Sequence, residues 1–143
     1  LAARLAARGV EGERVDLEGG AAHFDFLQSY DRIDIALDTF PYNGGTTTTE
    51  ALWQGVPVLT YVGDRWVART SASLLRAAGL DDWVASDEDD LVAKASALAR
   101  DPGTPARLAA LRAGMRARLA ASAACNTAGL CLALEQIYRQ FRA

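Results

Sequence analysis

One segment of this 143-residue chain combines residue types that suit the binding of a phosphorylated ligand. Asn43, Gly44 and Gly45 are followed directly by four threonines, Thr46–Thr49. Glycine lets an anion approach the main chain closely, and the amino end of a helix offers unpaired N–H groups with a partial positive charge. Four successive β-branched residues suit a helix cap better than a helix interior. The segment therefore predicts a phosphate site, although spacing alone equally allows a plain turn with one capping threonine.

Two charged residues are candidates to support this loop, together with Asn43. Glu50 falls one helical turn after Thr46, where a carboxylate can reach a diol such as that of ribose. The same position also suits an acidic residue that only compensates the helix dipole. Arg69 is predicted at the amino end of a later helix near the ligand, with an ion pair to Asp64 or Glu50 as the alternative.

Several classes of function are disfavoured by what the chain lacks. The dinucleotide G-x-G-x-x-G and the P-loop G-x-x-x-x-G-K-[ST] are both missing, which argues against NAD, FAD and ATP hydrolysis. A net charge of −3 provides no footprint for nucleic acid or for an anionic membrane surface. The arginines of one late helix (Arg107, Arg112, Arg116 and Arg118) are predicted to form a solvated face.

Metal binding is not expected. Cys125 and Cys131 are six residues apart on a predicted helix, have no Cys/His cluster beside them, and are expected to be unpaired thiols in a reducing cytoplasm. Asp87-Glu88-Asp89 matches the D-x-D pattern of metal-dependent glycosyltransferases. Because it stands in the first turn of a predicted helix, dipole compensation explains it more simply.

The elements around the loop alternate between strands and helices, which predicts a parallel, doubly wound Rossmann-like sheet. Strands are expected at 14–18, 33–38, 56–62 and from Val84, and helices at 1–8, 23–30, 46–54 and 67–78. Three helices from about residue 86 close the chain, with caps expected at Ser86, Thr104 and Asn126 or Thr127. A complete sheet of this kind has about five or six strands. Residues 1–143 are therefore interpreted as one partial domain whose other strands lie upstream.

Apolar periodicity predicts which helix faces are buried. In the early helix, Phe24, Leu27 and Tyr30 are expected on one face. The two last helices are expected to bury Leu108, Leu111, Met115 and Leu119, and Leu130, Leu134, Ile137 and Phe141, respectively.

The sequence around the loop also resembles a known family. The run DIALDTFPYNGGTTT at 34–48, followed by EALWQGVPV at 50–58, is similar to the signature of O-GlcNAc-transferase-like (SPINDLY-type) glycosyltransferases. The match continues through Gly63-Asp64-Arg65, Ala68-Arg69 and Ala72-Ser73-Leu74-Leu75 and fades after Gly79.

This resemblance implies the two-domain GT-B fold and an inverting reaction that needs no metal or cofactor. The donor is a UDP-sugar, usually UDP-GlcNAc, and the acceptor is a Ser or Thr hydroxyl of a protein. It implies that Thr46 and Thr47 hold the diphosphate with Gly44 and Gly45, and that Glu50 holds the ribose. The family often has His at the position of Gly45 and commonly Asp at that of Glu50. A frequent family His aligns with Phe26, while His23 is interpreted as an ordinary residue at the start of a helix.

We therefore expect the donor-binding C-terminal part of a cytoplasmic glycosyltransferase, without nucleic-acid or membrane partners. Its catalytic residues, the N-terminal GT-B domain and any helical repeats that present the acceptor are expected upstream, and the 143 residues alone are expected to be inactive. The alternatives are a related UDP-hexose transferase with another acceptor and a non-catalytic nucleotide-binding or scaffold module.

Overall fold

Three short parallel strands form the centre of the structure, a computed structural model that describes residues 1–141. They are β1 (Ala36–Leu37), β2 (Val58–Tyr61) and β3 (Val84–Ala85), in the order β1-β2-β3. Ala36 pairs with Val58, and Thr60 pairs with Val84. The ladder continues past β1, because Asp38 N donates to the carbonyl oxygen of Leu59 at 3.0 Å. The predicted parallel α/β sheet is confirmed, with strands shorter than the apolar runs suggested.

The described residues also contain seven α-helices. They are α1 (Ala2–Ala6), α2 (His23–Ser29), α3 (Thr46–Trp53), α4 (Thr70–Ala77), α5 (Glu88–Arg100), α6 (Thr104–Ala120) and α7 (Thr127–Gln140). Of these, α3, α4 and α5 contact the strands directly. Gly55 follows α3 in the left-handed region, with φ +84°. A Cβ at Gly55 would lie 3.1 Å from the Arg112 carbonyl oxygen, so the predicted helix-ending glycine also lets α6 approach.

Both faces of the sheet are covered, as expected for a doubly wound fold. Successive strand residues point to opposite faces. On one face Val58 packs with Ala51 of α3 and with Tyr30. On the other face Leu59 borders a cleft between α5 and α6. The main core joins α3, α4 and α6 and consists of Leu52, Leu75, Ala78, Leu80, Met115 and Leu119.

Of the four α6 arginines, Arg107, Arg116 and Arg118 are exposed, as the predicted solvated face requires, and Arg112 is half-buried. Arg107 pairs with Asp101 at 2.9 Å, whereas the other three also contact main-chain carbonyls. Arg112 donates to the carbonyl oxygen of Tyr30, just after α2, at 3.3 Å. Arg116 donates to the carbonyl oxygen of Trp53 at 3.2 Å, and Arg118 to that of the glycine that follows α4 at 3.0 Å. A cation at a helix carboxyl end satisfies free carbonyls and compensates the dipole. These contacts attach α6 to the ends of the helices next to the sheet.

Three local predictions are wrong. Residues 14–18 form no strand, because no described segment pairs with them and an unpaired extended segment has no ladder. Ser86 does not cap α5; Asp87 does, by accepting from Asp90 N. Thr104 does not cap α6, since it lies inside the helix and its hydroxyl accepts from Arg107. At α7 the predicted cap is correct, because the Asn126 side chain accepts from Gly129 N.

Helix α7 forms where predicted, but its predicted buried side is exposed. Leu130, Leu134, Ile137 and Phe141 are 61%, 42%, 45% and 82% exposed. Phe24 of α2 is also exposed, at 77%, whereas Tyr30 is buried. Periodicity places apolar residues on one side of a helix, but it does not supply the surface that covers them.

Candidate functional site

The loop from Asp38 to Gly45 joins the carboxyl end of β1 to the amino end of α3. Its shape depends on the Asp38 carboxylate. One oxygen, Oδ1, accepts from Thr39 N and from Gly44 N, both at 2.9 Å. The other, Oδ2, accepts from the Thr60 hydroxyl of β2 at 2.7 Å. Asp38 was not among the predicted site residues; the signal that could have identified it is an acidic residue that ends a strand before a glycine loop.

Gly44 is half-buried and lies against the first turn of α3. Its N–H is held by Asp38, and its carbonyl oxygen accepts from the Ser71 hydroxyl of α4 at 2.9 Å. A Cβ at this position would lie 2.6 Å from both Thr47 Oγ1 and Thr48 Oγ1, which no real side chain tolerates. Gly44 therefore serves the loop through its small size and through its fixed peptide groups.

Gly45 differs, because a side-chain carbon at this position would meet no clash. The nearest atom to a Cβ placed there is Thr70 Cγ2, at 3.7 Å. Thr70 begins α4, so the amino ends of α3 and α4 approach each other at Gly45. This geometry accommodates a larger residue at Gly45.

The amino terminus of α3 is open. The first helical main-chain bond runs from Thr49 N to Gly45 O at 3.0 Å. Within residues 1–141 no side chain caps this terminus, and its first turn holds no acidic residue. The N–H groups of Thr46, Thr47 and Thr48 are therefore free to bind an anion.

The four threonines divide into two pairs. The hydroxyl of Thr48, a residue only 3% exposed, lies 2.8 Å from Ser71 Oγ, and Thr49 Oγ1 donates to Gly45 O at 3.1 Å. Thr46 and Thr47 are exposed at the open terminus. Only this first pair has hydroxyls placed for an external ligand.

Asn43 supports the loop from inside. It is 4% exposed, its N–H donates to Val67 O at 2.9 Å, and its Nδ2 donates to Thr39 O at 2.9 Å. Its Oδ1 is buried, with no hydrogen-bond partner among the described residues. Asn43 therefore supports the loop by holding its turn in place.

Glu50 points toward the start of α2. Its carboxylate lies 3.9 Å from His23 Nδ1, and the Glu50 side chain is 18% exposed against 63% for His23. Burial, and secondarily the Glu50 carboxylate, raise the pKa of the neighbouring Tyr30 phenol, whose hydroxyl donates to Thr47 O at 3.2 Å. The structure thus brings His23 close to Glu50, whereas the sequence analysis interprets it as an ordinary residue at the start of a helix.

Arg69 lies beside the site without either of the ion pairs considered for it. Its Nε donates to the carbonyl oxygen of Gly63 at 2.8 Å, and its side chain is exposed. Asp64 instead lies near Arg65, at 3.9 Å. Arg69 is the residue just before α4, whose first residue contacts the Gly45 position. This arrangement leaves its terminal guanidinium nitrogens available to a ligand.

A small cleft of about 140 Å³ lies between the end of β1 and α3, and it is lined in part by Tyr30, Asp38, Gly44 and Thr47. A larger cleft of about 450 Å³ lies on the Leu59 face of the sheet, between α5 and α6, and contains none of the predicted site residues. We take the smaller cleft as part of the candidate site, because Gly44 and Thr47 line it. The other predicted site residues do not line this cleft: Asn43, Gly45, Thr46, Glu50 and Arg69.

The carboxylates at the start of α5, where the D-x-D run lies, accept hydrogen bonds from nearby main-chain N–H groups. Asp87 accepts from Asp90 N at 2.9 Å, and Asp90 accepts from Ser86 N at 2.9 Å. Across residues 1–141, no group of three or more His, Cys, Asp or Glu side chains could hold a metal ion. Cys125 and Cys131 are unpaired. In the same part of the chain, no helix combines the length and apolar character that a membrane span requires.

Comparison with known proteins identifies relatives of this chain. The profile of Glycosyl transferase family 41 matches residues 1–134. The chain is 40% identical over 132 residues to the probable UDP-N-acetylglucosamine–peptide N-acetylglucosaminyltransferase SPINDLY of Solanum lycopersicum, and equally to that of Arabidopsis thaliana. Each alignment covers 92% of this chain and 14% of the relative, so the chain spans about one seventh of these proteins.

A solved structure agrees with the sequence matches. An O-GlcNAc transferase mutant from Thermobaculum terrenum superposes with a TM-score of 0.79 at 40% identity, over 95% of this chain and 26% of that one. The Rossmann-like fold expected for part of a GT-B glycosyltransferase is thereby confirmed, and so is the resemblance seen in the residues. The chain belongs to glycosyltransferase family 41.

Proposed function

We propose that this chain forms the UDP-sugar-binding part of a protein O-glycosyltransferase that transfers N-acetylglucosamine from UDP-GlcNAc to Ser or Thr hydroxyls. The observation that carries the proposal is the open amino terminus of α3, with Thr46 and Thr47 exposed beside it. The names of the relatives, which are UDP-N-acetylglucosamine–peptide N-acetylglucosaminyltransferases, support the choice of donor and acceptor.

The diphosphate is the part of the donor that this terminus suits. Free N–H groups and the helix dipole attract an anion, and each such interaction contributes about 0.3–1 kcal/mol when exposed and more when partly buried. The Thr46 and Thr47 hydroxyls donate to the phosphate oxygens, and Arg69 supplies a cation from the adjacent helix start. Gly45, being open, leaves room for the ligand.

The ribose belongs at Glu50. A carboxylate can accept hydrogen bonds from both hydroxyls of a diol. Glu50 is mostly buried beside His23 and one turn into α3, so its carboxylate lies deeper than the diphosphate position. His23 lies 3.9 Å from this carboxylate and is itself exposed, so we propose that it also faces the nucleoside.

The chemistry of transfer explains why the phosphate site matters for rate. The acceptor hydroxyl oxygen attacks the anomeric carbon from the face opposite to UDP and passes its proton to a base that the proposal places outside this chain. The bond from that carbon to the phosphate oxygen breaks, and UDP leaves with the electron pair. Negative charge grows on the diphosphate, so donors that face it stabilise the transition state more than the ground state. In this proposal the helix terminus takes the role that a metal ion has in other transferases.

The remaining machinery is proposed to lie outside these 143 residues. We assign no catalytic base to the chain, and we expect the N-terminal GT-B domain, and helical repeats where present, to supply the acceptor side. The isolated 143 residues are accordingly expected to transfer no sugar. A cytoplasmic location is part of the same proposal.

The proposal is tested by calorimetric titration of UDP into the full-length protein in the presence of EDTA. We expect micromolar binding that weakens about tenfold or more in a Thr46→Ala/Thr47→Ala variant, since two hydrogen bonds to a charged group are lost. Thr49→Ala is the matched control, because its hydroxyl bonds the loop carbonyl of Gly45 and not the ligand.

Three outcomes would count against the proposal in different ways. If the folded protein does not bind UDP, the donor site is wrong and a non-catalytic scaffold module is the better account. Binding that EDTA abolishes would overturn the metal-independent part. UDP binding combined with turnover of a different UDP-hexose would move the protein to a related transferase.

A further inference from the structure

The loop before α3 has a fixed shape whose cause is a single carboxylate. Asp38 holds three groups at once: Thr39 N, Gly44 N and the Thr60 hydroxyl. The first two belong to the loop, and the third belongs to β2 at a residue that is 1% exposed. The buried Thr60 anchors one carboxylate oxygen, so the other oxygen is presented to the loop in one place.

The two peptide groups on either side of Gly44 are each held by one side chain, Asp38 for the first and Ser71 for the second. Asp38 accepts from the N–H of Gly44, and the fully buried Ser71 donates to the carbonyl oxygen of Gly44. That carbonyl shares a trans peptide with Gly45 N–H, so the two groups point in opposite directions. Holding the carbonyl on the buried Ser71 therefore turns Gly45 N–H away from the core, toward the open end of α3.

The same bonds keep Asp38 off the helix terminus. Aspartate is among the best helix-capping residues, and a free carboxylate so near α3 would bind its N–H groups. Its oxygens are instead engaged by Thr39, Gly44 and Thr60. The terminus consequently stays uncapped and can accept an external anion.

We propose that Asp38 is a positioning residue for the donor diphosphate, acting through the Gly44 peptide without touching the ligand. This inference rests on the proposed function, because it names the residue that shapes the phosphate site. It assigns Asp38 a role in the phosphate contribution to binding and none in the recognition of the nucleoside.

The test compares UDP with uridine, which lacks the phosphates, as ligands of the full-length protein. In Asp38→Ala we expect the Kd of UDP to rise about tenfold or more, since two charge-assisted loop bonds are lost, and the Kd of uridine to change less than about twofold. An unchanged UDP affinity would overturn the proposal. So would an equal weakening of both ligands, which would indicate general loss of structure.

Two further variants keep the test decisive if Asp38→Ala does not fold. Asp38→Asn retains an oxygen for Gly44 and Thr39 and an NH₂ for the Thr60 hydroxyl, so we expect UDP binding within about threefold of the unaltered protein. Thr60→Val removes the hydroxyl that anchors Oδ2, with its long contact to the Tyr61 carbonyl oxygen, but keeps both loop bonds to Oδ1. We therefore expect its loss of UDP affinity to be smaller than that of Asp38→Ala. A Thr60→Val effect as large as the tenfold loss would contradict action through Gly44. Failure of the unaltered protein to bind UDP would instead reject the proposed function.

Discussion

The amino termini of α3 and α5 meet the same electrostatic requirement in opposite ways. Helix α5 begins after Asp87, whose carboxylate caps it, and carries Glu88, Asp89 and Asp90 in its first turn. Helix α3 begins after Gly45, with no side-chain cap among the described residues and no acid in its first turn. Each helix start carries a motif that suggested ligand binding: the glycines and threonines at α3 and the D-x-D run at α5. Of these two termini, only that of α3 has free N–H groups.

This difference separates a structural acidic cluster from a candidate binding site. The dipole and free N–H groups of a helix start attract a negative charge, and a helix that carries its own carboxylates has already satisfied them. The D-x-D run therefore stabilises α5, whereas the uncapped amino terminus of α3 is where we propose that an external anion binds.

A side chain at Gly44 should have the largest effect on the α3 terminus. Gly44→Ala places a Cβ 2.6 Å from two threonine hydroxyls, and overpacking of this kind costs about 1–3 kcal/mol. We expect a lower free energy of unfolding in urea and weaker UDP binding in the full-length protein. Gly45→Ala is the matched control for stability, because its Cβ meets only Thr70 at 3.7 Å, and it should leave the free energy of unfolding nearly unchanged. Equal effects of the two substitutions would show that the loop differs from the geometry described.

An acidic N-cap on α3, like that of α5, should lower UDP affinity without lowering the stability of the protein. Gly45→Asp puts a carboxylate at the N-cap, where it competes with the diphosphate and repels it, so UDP affinity should fall about tenfold, or about 1.4 kcal/mol. The melting temperature should stay level or rise. Gly45→Asn, a neutral cap, should lose less affinity, and an Asp variant with full affinity would place the anion elsewhere.

The division of the threonines predicts a reciprocal pair of variants. Thr48→Val removes a buried hydrogen bond to Ser71 and should lower the free energy of unfolding by about 1 kcal/mol. The exposed Thr47→Val should leave stability almost unchanged and weaken UDP binding. Urea unfolding and UDP titration on the same two proteins distinguish the roles, and a reversed pattern would contradict the assignment.

The α5 cap should respond to acid. The N–H of Asp90, followed by the Ser86 hydroxyl, holds the pKa of Asp87 below its usual 3.8. A lowered pKa contributes stability that is present above pH 3.8 and is lost as the pH falls through the lower folded-state pKa. Because Asp87 is exposed, the effect on the melting temperature should be small.

Asp87→Asn serves as the control for this titration, because asparagine caps a helix without ionising. The melting temperature of Asp87→Asn should fall less steeply with decreasing pH than that of the unaltered protein, because the variant has no carboxylate to protonate at this position. UDP binding at neutral pH should be the same in both proteins. A loss of UDP affinity in Asp87→Asn would connect α5 to the ligand and weaken the contrast between the two helix termini.

The sequence by itself determined the elements whose signals are local. The glycines after α1, α3 and α4, the strand-loop-helix order around residues 36–53 and the Asn126 cap all follow from short-range conformational preferences, and the structure confirms them. The long family signature likewise needed no coordinates, because it is a pattern of residue identities. Glu50 and the Thr46–Thr47 pair could be chosen as site candidates on these grounds.

Contacts between distant segments were decided only by the tertiary structure. Asp38 became the anchor of the loop through Thr60, and His23 reached Glu50 across a separation of 27 residues. The same rule accounts for the misses: residues 14–18 lacked a strand partner, and α7 formed an apolar side that no described residues cover. Backbone preference acts within a few residues, whereas pairing and burial require a partner that the chain supplies only when it folds.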